Sequence, residues 1–232
     1  MSLAGRRQKL LRVDRVLRET YGEPEPHEVL DPVSELVLTI LSQHTSDRNS
    51  TRAFAQLRDR FGDDWDRVAD ARSVQVVAAI RTAGLANIKA PRIQAVLREV
   101  RARRGRMDLD FLADLPVSEA MAWLQGLPGV GPKTAACVLL FSLGMPAFPV
   151  DTHVHRVTRR LGLIDERMSA EDAHRELARL VPKERTYAVH VNLVRHGRQV
   201  CRAPLPLCDL CALARDCEYY LRGTGGARSR RG

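Results

Sequence analysis

The chain has 232 residues, 44 % of them hydrophobic, with a net charge of +9 and a pI near 9.9. That length and apolar content suit one large domain or two small ones with a packed core, and they exclude a disordered chain. The positive excess is carried by arginine, with only four lysines among 37 strong bases, which suits phosphate contact but does not by itself establish a nucleic-acid partner.

No stretch reaches the roughly 18 to 20 uninterrupted apolar residues of a membrane span. The opening "MSLAGRRQKLLRVDRVL" lacks the apolar block of a secretory signal. A cytoplasmic, nucleoid-associated protein in a reducing compartment is expected, and its five cysteines are not read as a disulfide framework.

In chain order, helical spacing recurs and strand alternation is nearly absent. Leu10, Val13 and Leu17 mark a first amphipathic helix, closed by "YGEPEPHEVLDP". Asp31 reads as an N-cap with Pro32 in the first helical position, ahead of an apolar stripe of Val33, Leu36, Val37, Ile40 and Leu41. Phe54, Leu57 and Phe61 mark a third helix, and Ser73 caps a short one reaching Ile80. Ile93, Val96, Leu97 and Val100 lie along "IKAPRIQAVLREVRAR". Further helices are predicted over Pro116–Gln125, Cys137–Leu143 and Thr152–Leu161. Ser169 and Asp172 form a capping box before Leu177, Leu180 and Val181, and Glu184–His196 completes the series. The fold class is all-α, and the tail "GTGGARSRRG" is expected to be disordered.

Three features carry chemistry. Cys201, Cys208, Cys211 and Cys217 are separated by six, two and five residues, a density that points to a metal site. Zinc ribbons bring two Cys-x-x-Cys knuckles, whereas a single pair with flanking cysteines favours four thiolates around a [4Fe–4S] cluster over zinc. Cys137, on an apolar helical face, reads as core.

The second feature is "LPGVGPKTA". Gly129 and Gly131 permit positive φ and uncovered amides, and Pro132 opens a helix. The turn reads either as a helix-hairpin-helix clamp for a DNA phosphate or as an ordinary helix connection. Lys133 falls in the first helical turn, where the dipole and partial burial disfavour an ammonium and favour a nucleophilic amine. The third is Asp151 in "FPVDTHVHRV", a plain N-cap or a carboxylate able to stabilise a sugar cation or move a proton. His153 and His155, two apart on a helix, point to different sides and read as solvated or packed.

"LPGVGPKTA", "VDTHVHRV" and the cysteine tail, in that order, resemble the endonuclease III family of helix-hairpin-helix base-excision DNA glycosylases. The likeness runs from about Asp31 to Cys217. It implies a two-lobed fold: a six-helix barrel over 23–146, and a cluster lobe built from 1–22 with 147–222. A cleft would run between them, with Lys133 and Asp151 at its mouth.

It further implies a bifunctional DNA glycosylase and abasic-site lyase. This would be a monomer acting on duplex DNA that holds an oxidised pyrimidine or an abasic site, with the base flipped out. Lys133 would be the nucleophile, Asp151 its partner and the [4Fe–4S] cluster the cofactor. The alternatives are a monofunctional mismatch glycosylase and a non-catalytic iron–sulfur DNA-binding module.

"ILSQHTSDRN" resembles the family's gap-filling loop, with Gln43 or His44 as the inserted residue, and Leu85 in "TAGLANIKA" resembles a second wedge. Gly129, Val130, Gly131 and Thr134 would hold phosphate at the hairpin. Where the resemblance implies several basic residues, the loop "RAPLPL" has Arg202 alone and two prolines, so Arg198 or Arg202 is expected to take over its phosphate contact.

Overall fold

The structure is a computed structural model, and it describes residues 1–25 and 28–223. The expected disordered tail therefore lies, apart from Gly223, outside the described residues. Among the described residues every regular element is helical: twelve α-helices and five short 3-10 turns. Among them, too, no helix is long and apolar enough to cross a membrane. The chain divides into two compact units, Glu28–Ala147 and the pair of segments Met1–His27 and Phe148–Gly232.

The first unit holds α2 (Pro32–Leu41), α3 (Asp47–Phe61), α4 (Trp65–Asp70), α5 (Ser73–Ala79), α6 (Ala86–Arg104), α7 (Val117–Gln125) and α8 (Pro132–Phe141). Asp31 starts α2 as predicted: its Oδ1 accepts from the amides of Val33 (3.0 Å) and Ser34 (2.9 Å) ahead of Pro32. The predicted stripe of α2 is buried, and α2 packs along α8, while α6 receives α4 and α5. Leu36, Ile40, Leu57, Ile93, Leu97 and Leu124 fill one core without solvent exposure.

The second unit joins α1 (Leu3–Tyr21) to α9 (Thr152–Leu161), α10 (Ala170–Leu180), α11 (Thr186–Gln199) and α12 (Glu218–Leu221). Leu10, Val13 and Leu17 of α1 share a core with Val154, Val157, Leu177 and Leu193. Ser169 caps α10 as expected, Asp172 N–H donating to Ser169 Oγ at 3.0 Å, and the return bond comes from the Ser169 hydroxyl, which donates to Asp172 Oδ2 at 2.8 Å.

Several local expectations are corrected. Ser73 is the first residue of α5 rather than its cap; Arg72 takes the cap position and makes no side-chain bond. α7 begins at Val117, with Pro116 in the cap position. The helix drawn over Cys137–Leu143 begins at Pro132, as the proline itself foretold, and ends at Phe141. Glu184 belongs to a 3-10 turn ahead of α11, and Val181 is the C-cap of α10. Trp65–Asp70 and Glu218–Leu221 are six and four residues long, too short to show a helical period.

Arg185 ties α1 to the start of α11 by a fork onto Asp14, Nε to Oδ2 at 2.9 Å and Nη2 to Oδ1 at 3.1 Å. Asp14 is only 8 % exposed. Arg185→Met strands that carboxylate and is expected to lower the unfolding free energy by about 3 kcal/mol, read by urea titration. Asp14→Asn in the same background should recover part of the loss.

Candidate active site and cysteine chamber

The turn between α7 and α8 is pinned from beneath by Leu127 and Val130, 2 % and 5 % exposed. Val130 N–H donates to the Leu127 carbonyl (3.2 Å), so this residue anchors the turn. Gly129 takes φ +74°, and a Cβ there would stand 3.0 Å from Arg92 Nε. Gly131 does not use positive φ: at φ −90°, ψ 176° it is the extended N-cap of α8. Its freedom from a side chain serves openness instead, since a Cβ there would meet nothing within 4 Å.

Among the described residues the amides of Gly129 and Gly131 have no backbone partner, and they sit beside the unbonded first-turn amides of α8. This is an anion-receptive helix start. The Thr134 hydroxyl is turned inward, 3.5 Å from Gln43 Nε2, which leaves only its amide for such a ligand.

Lys133 is half-buried in that first turn. Across the α2–α8 packing stands a residue that sequence reading missed, Glu35. Its Oε1 accepts from Thr39 Oγ1 at 2.9 Å. Burial pushes the Glu35 carboxyl up to about 7, while the Thr39 hydrogen bond and the charge of Lys133 pull the other way. Glu35 lies one place off the apolar stripe of α2, so nothing in its spacing marks it.

A folded-state pKa raised above the unfolded value means that the stabilisation is complete below about pH 4.5 and is lost as pH rises through about 7. Glu35→Gln should therefore gain on the wild type across that window, by about 2 kcal/mol at pH 8 after allowance for solvent screening. Urea midpoints measured at pH 4 and pH 8 check this. Equal stability differences at both pH values would contradict it.

Two loops beside this site hold the only non-glycine residues with positive φ among the described residues, His44 (φ 53°) and Leu85 (φ 50°). Such backbone is strained and collects at functional positions. His44 is exposed, and Leu85 is 51 % exposed despite its apolar side chain. Gln43 is instead held inside the unit, its Oε1 accepting from Arg92 Nη1 at 3.0 Å.

In the other unit, Asp151 caps α9, its Oδ1 accepting from Val154 N–H at 2.7 Å. The segment leading to it is fixed by two buried histidines. His174 Nδ1 lies 3.1 Å from the Phe148 carbonyl, and His190 Nδ1 lies 3.0 Å from that of Pro149. His153 and His155 are packed: His155 Nε2 meets the Met168 carbonyl at 2.9 Å, and His153 Nδ1 meets Arg156 at 3.1 Å.

All four clustered cysteines line one cavity, together with Leu213, Tyr219 and neighbouring, mostly apolar side chains. Among the described residues no three ligating side chains converge on a point that would hold a single ion. Burial, with mutual repulsion among the sulfurs, raises the Cys208 and Cys217 thiols and takes Cys211 to about 11. Four thiolates in so apolar a chamber require a multivalent cation to form at all.

Cationic support comes from Arg160, whose Nη1 is 3.2 Å from Cys201 Sγ and 2.8 Å from the Arg202 carbonyl. The donor set and the chamber therefore fit an iron–sulfur cluster. Arg198 and Arg202 are both exposed, and Arg202 Nε donates to the Gln199 carbonyl at 3.1 Å. Cys137 is buried in α8, as expected for core.

Residues 37–183 match the model of the HhH-GPD superfamily of base excision DNA repair proteins. An endonuclease III of Thermotoga maritima is 34 % identical over 208 residues, covering 89 % of this chain and 92 % of that protein. A protein of Arabidopsis thaliana is 40 % identical over 180 residues; these make up 78 % of this chain but only 60 % of the plant protein. A solved structure of a trapped endonuclease III–DNA covalent intermediate, an estranged-adenine complex, superposes with a TM-score of 0.80. It is 25 % identical, with 94 % of this chain and 98 % of that one covered. The chain thus belongs to the HhH-GPD superfamily and is an endonuclease III-like enzyme of the DNA glycosylase and lyase class.

Proposed function

We propose that this chain is a bifunctional DNA glycosylase and abasic-site lyase that removes oxidised pyrimidines such as thymine glycol from duplex DNA. The observation that carries the reading is Lys133, a half-buried amine in the first turn of α8, directly behind a glycine turn whose amides lie open to a phosphate. A phosphate seated on Gly129, Gly131 and the first amides of α8 brings its own sugar to that amine.

Lys133 Nζ, as free amine, attacks C1′ of the flipped nucleotide. The C1′–N bond breaks and the base leaves with the electron pair. Ring opening gives a protonated imine between Nζ and C1′. Loss of a C2′ proton then expels the 3′ oxygen and nicks the strand. Asp151 is assigned the partner role, accepting the amine proton and countering charge on the sugar as the base departs. Glu35 is a second acceptor beside Lys133 for the proton the amine must shed.

Of the two candidates for filling the vacated stack, the structural support goes to His44: it is exposed on strained backbone, whereas Gln43 is bonded to Arg92. Leu85 is the apolar wedge on the other loop. Cys201, Cys208, Cys211 and Cys217 would hold a [4Fe–4S] cluster, which when bound supplies a charged, redox-capable core cross-linking the C-terminal segment.

A duplex with one thymine glycol opposite adenine tests the reading. Base release and strand nicking in matching yields are expected. Base release without nicking would instead identify a monofunctional glycosylase, and binding with neither product a non-catalytic module. Affinity should fall steeply with salt, since phosphate contacts release counterions.

A further inference from the structure

Lys89 is used by none of these steps, yet it is the most deeply buried of the four lysines, at 2 %. It lies in the first turn of α6 and has no carboxylate partner among the described residues. Its Nζ donates to two backbone carbonyls, those of Leu41 (2.7 Å) and Ala83 (2.8 Å). Leu41 is the last residue of α2, and Ala83 closes the 3-10 turn Arg81–Ala83. Carbonyls at such helix ends lack intrahelical partners, and a cation is the donor best suited to them.

The places of these two carbonyls matter. His44 stands three residues beyond Leu41, and Leu85 two beyond Ala83. These are the two left-handed non-glycine residues, and such strain persists only where the surroundings over-determine it. Lys89 bonds directly to both segments. Burial also pulls its pKa down, the signature of a cation held in place by geometry at some electrostatic cost.

We propose that Lys89 is a positioning residue that locks the two wedge loops to one another, so that His44 and Leu85 enter the duplex as a single pre-set pair. The entry into DNA rests on the function proposed above; the mechanical coupling of the loops does not.

The coupling is tested first without DNA, by hydrogen exchange on the full chain. The amides of Ser42, Gln43, Ala83 and Gly84 are all hydrogen-bonded within their turns and report the two loops separately. Lys89→Met keeps the aliphatic stem and removes both bonds. Exchange at all four amides is expected to accelerate together, by about tenfold or more, with the 127–131 turn unchanged. Acceleration in one loop alone, or in neither, overturns the coupling. Should the variant fail to fold, the wild type decides: the four amides must share one opening rate, and separate rates overturn the proposal.

The second arm uses a duplex bearing a tetrahydrofuran abasic-site analogue with 2-aminopurine opposite. Lys89→Met should bind intact duplex within about twofold of wild type but lose about tenfold of its preference for the analogue, with a weaker 2-aminopurine signal. Loosened loops with preference and signal retained would overturn the DNA half of the proposal. A wild type that shows no preference would count against the glycosylase reading and leave the exchange result standing.

Discussion

Lys133→Gln is expected to lower strand cleavage at an abasic site by about a thousandfold or more, while duplex affinity stays within about threefold. The amide is close to the amine in reach, but it has no electron pair free to form the imine. The variant should not disturb the phosphate cradle, because the turn is anchored by Leu127 and Val130 rather than by the lysine. Single-turnover nicking of an abasic duplex, alongside a binding titration, separates the two effects. A proportional loss of binding and cleavage would show that Lys133 is an affinity residue only.

The same variant removes the nearby positive charge that lowers the Glu35 pKa, so the Glu35 carboxyl should titrate higher than in wild type. Nuclear magnetic resonance of the side-chain carboxyl would register this, and an unmoved titration would separate Lys133 from Glu35.

Cys211→Ser is the second large effect expected. Cys211 lines the chamber with the other three sulfurs, and its Sγ lies 3.6 Å from His196 Nε2. That imidazole is held neutral by burial, its pKa lowered to about 4, so it does not supply the missing countercharge. Without a fourth thiolate, the iron content and the visible colour should disappear together. The thermal midpoint should fall by about 10 °C or more, since the segment from Cys201 onward has no regular helix until α12 to hold it. A colourless wild type containing zinc would overturn the iron–sulfur assignment. A Cys211→Ser variant with full iron would remove Cys211 from the ligand set.

Much of this was legible in the sequence. Asp31, Pro32 and the α2 stripe follow from local capping and a 3.6-residue period, which act within a few residues. The density of the cysteines pointed to a metal site, and that all four line one cavity is seen only in the structure. What escaped depends on neighbours distant in the chain. Glu35 and Lys133 are 98 positions apart and meet only through α2–α8 packing. Lys89 reaches 48 residues back to Leu41, and Arg92 reaches 49 back to Gln43.

Gly131 was half legible for a different reason: of the two freedoms read for it, it uses openness and not positive φ. A glycine can be required either for φ or for empty space, and the sequence does not distinguish the two. The preference proposed for His44 over Gln43 likewise rests on the backbone: the two look alike in sequence, whereas in the fold Gln43 is bonded to Arg92 and His44 has positive φ.

The central claim is that Lys133 Nζ becomes covalently joined to the sugar. Borohydride added during reaction with a duplex carrying one abasic site reduces such an imine to a stable amine. The account predicts a protein–DNA adduct from the wild type, mapped by peptide analysis to Lys133 and absent from Lys133→Gln. No adduct from an enzyme that still nicks the strand, or an adduct at another residue, would contradict it.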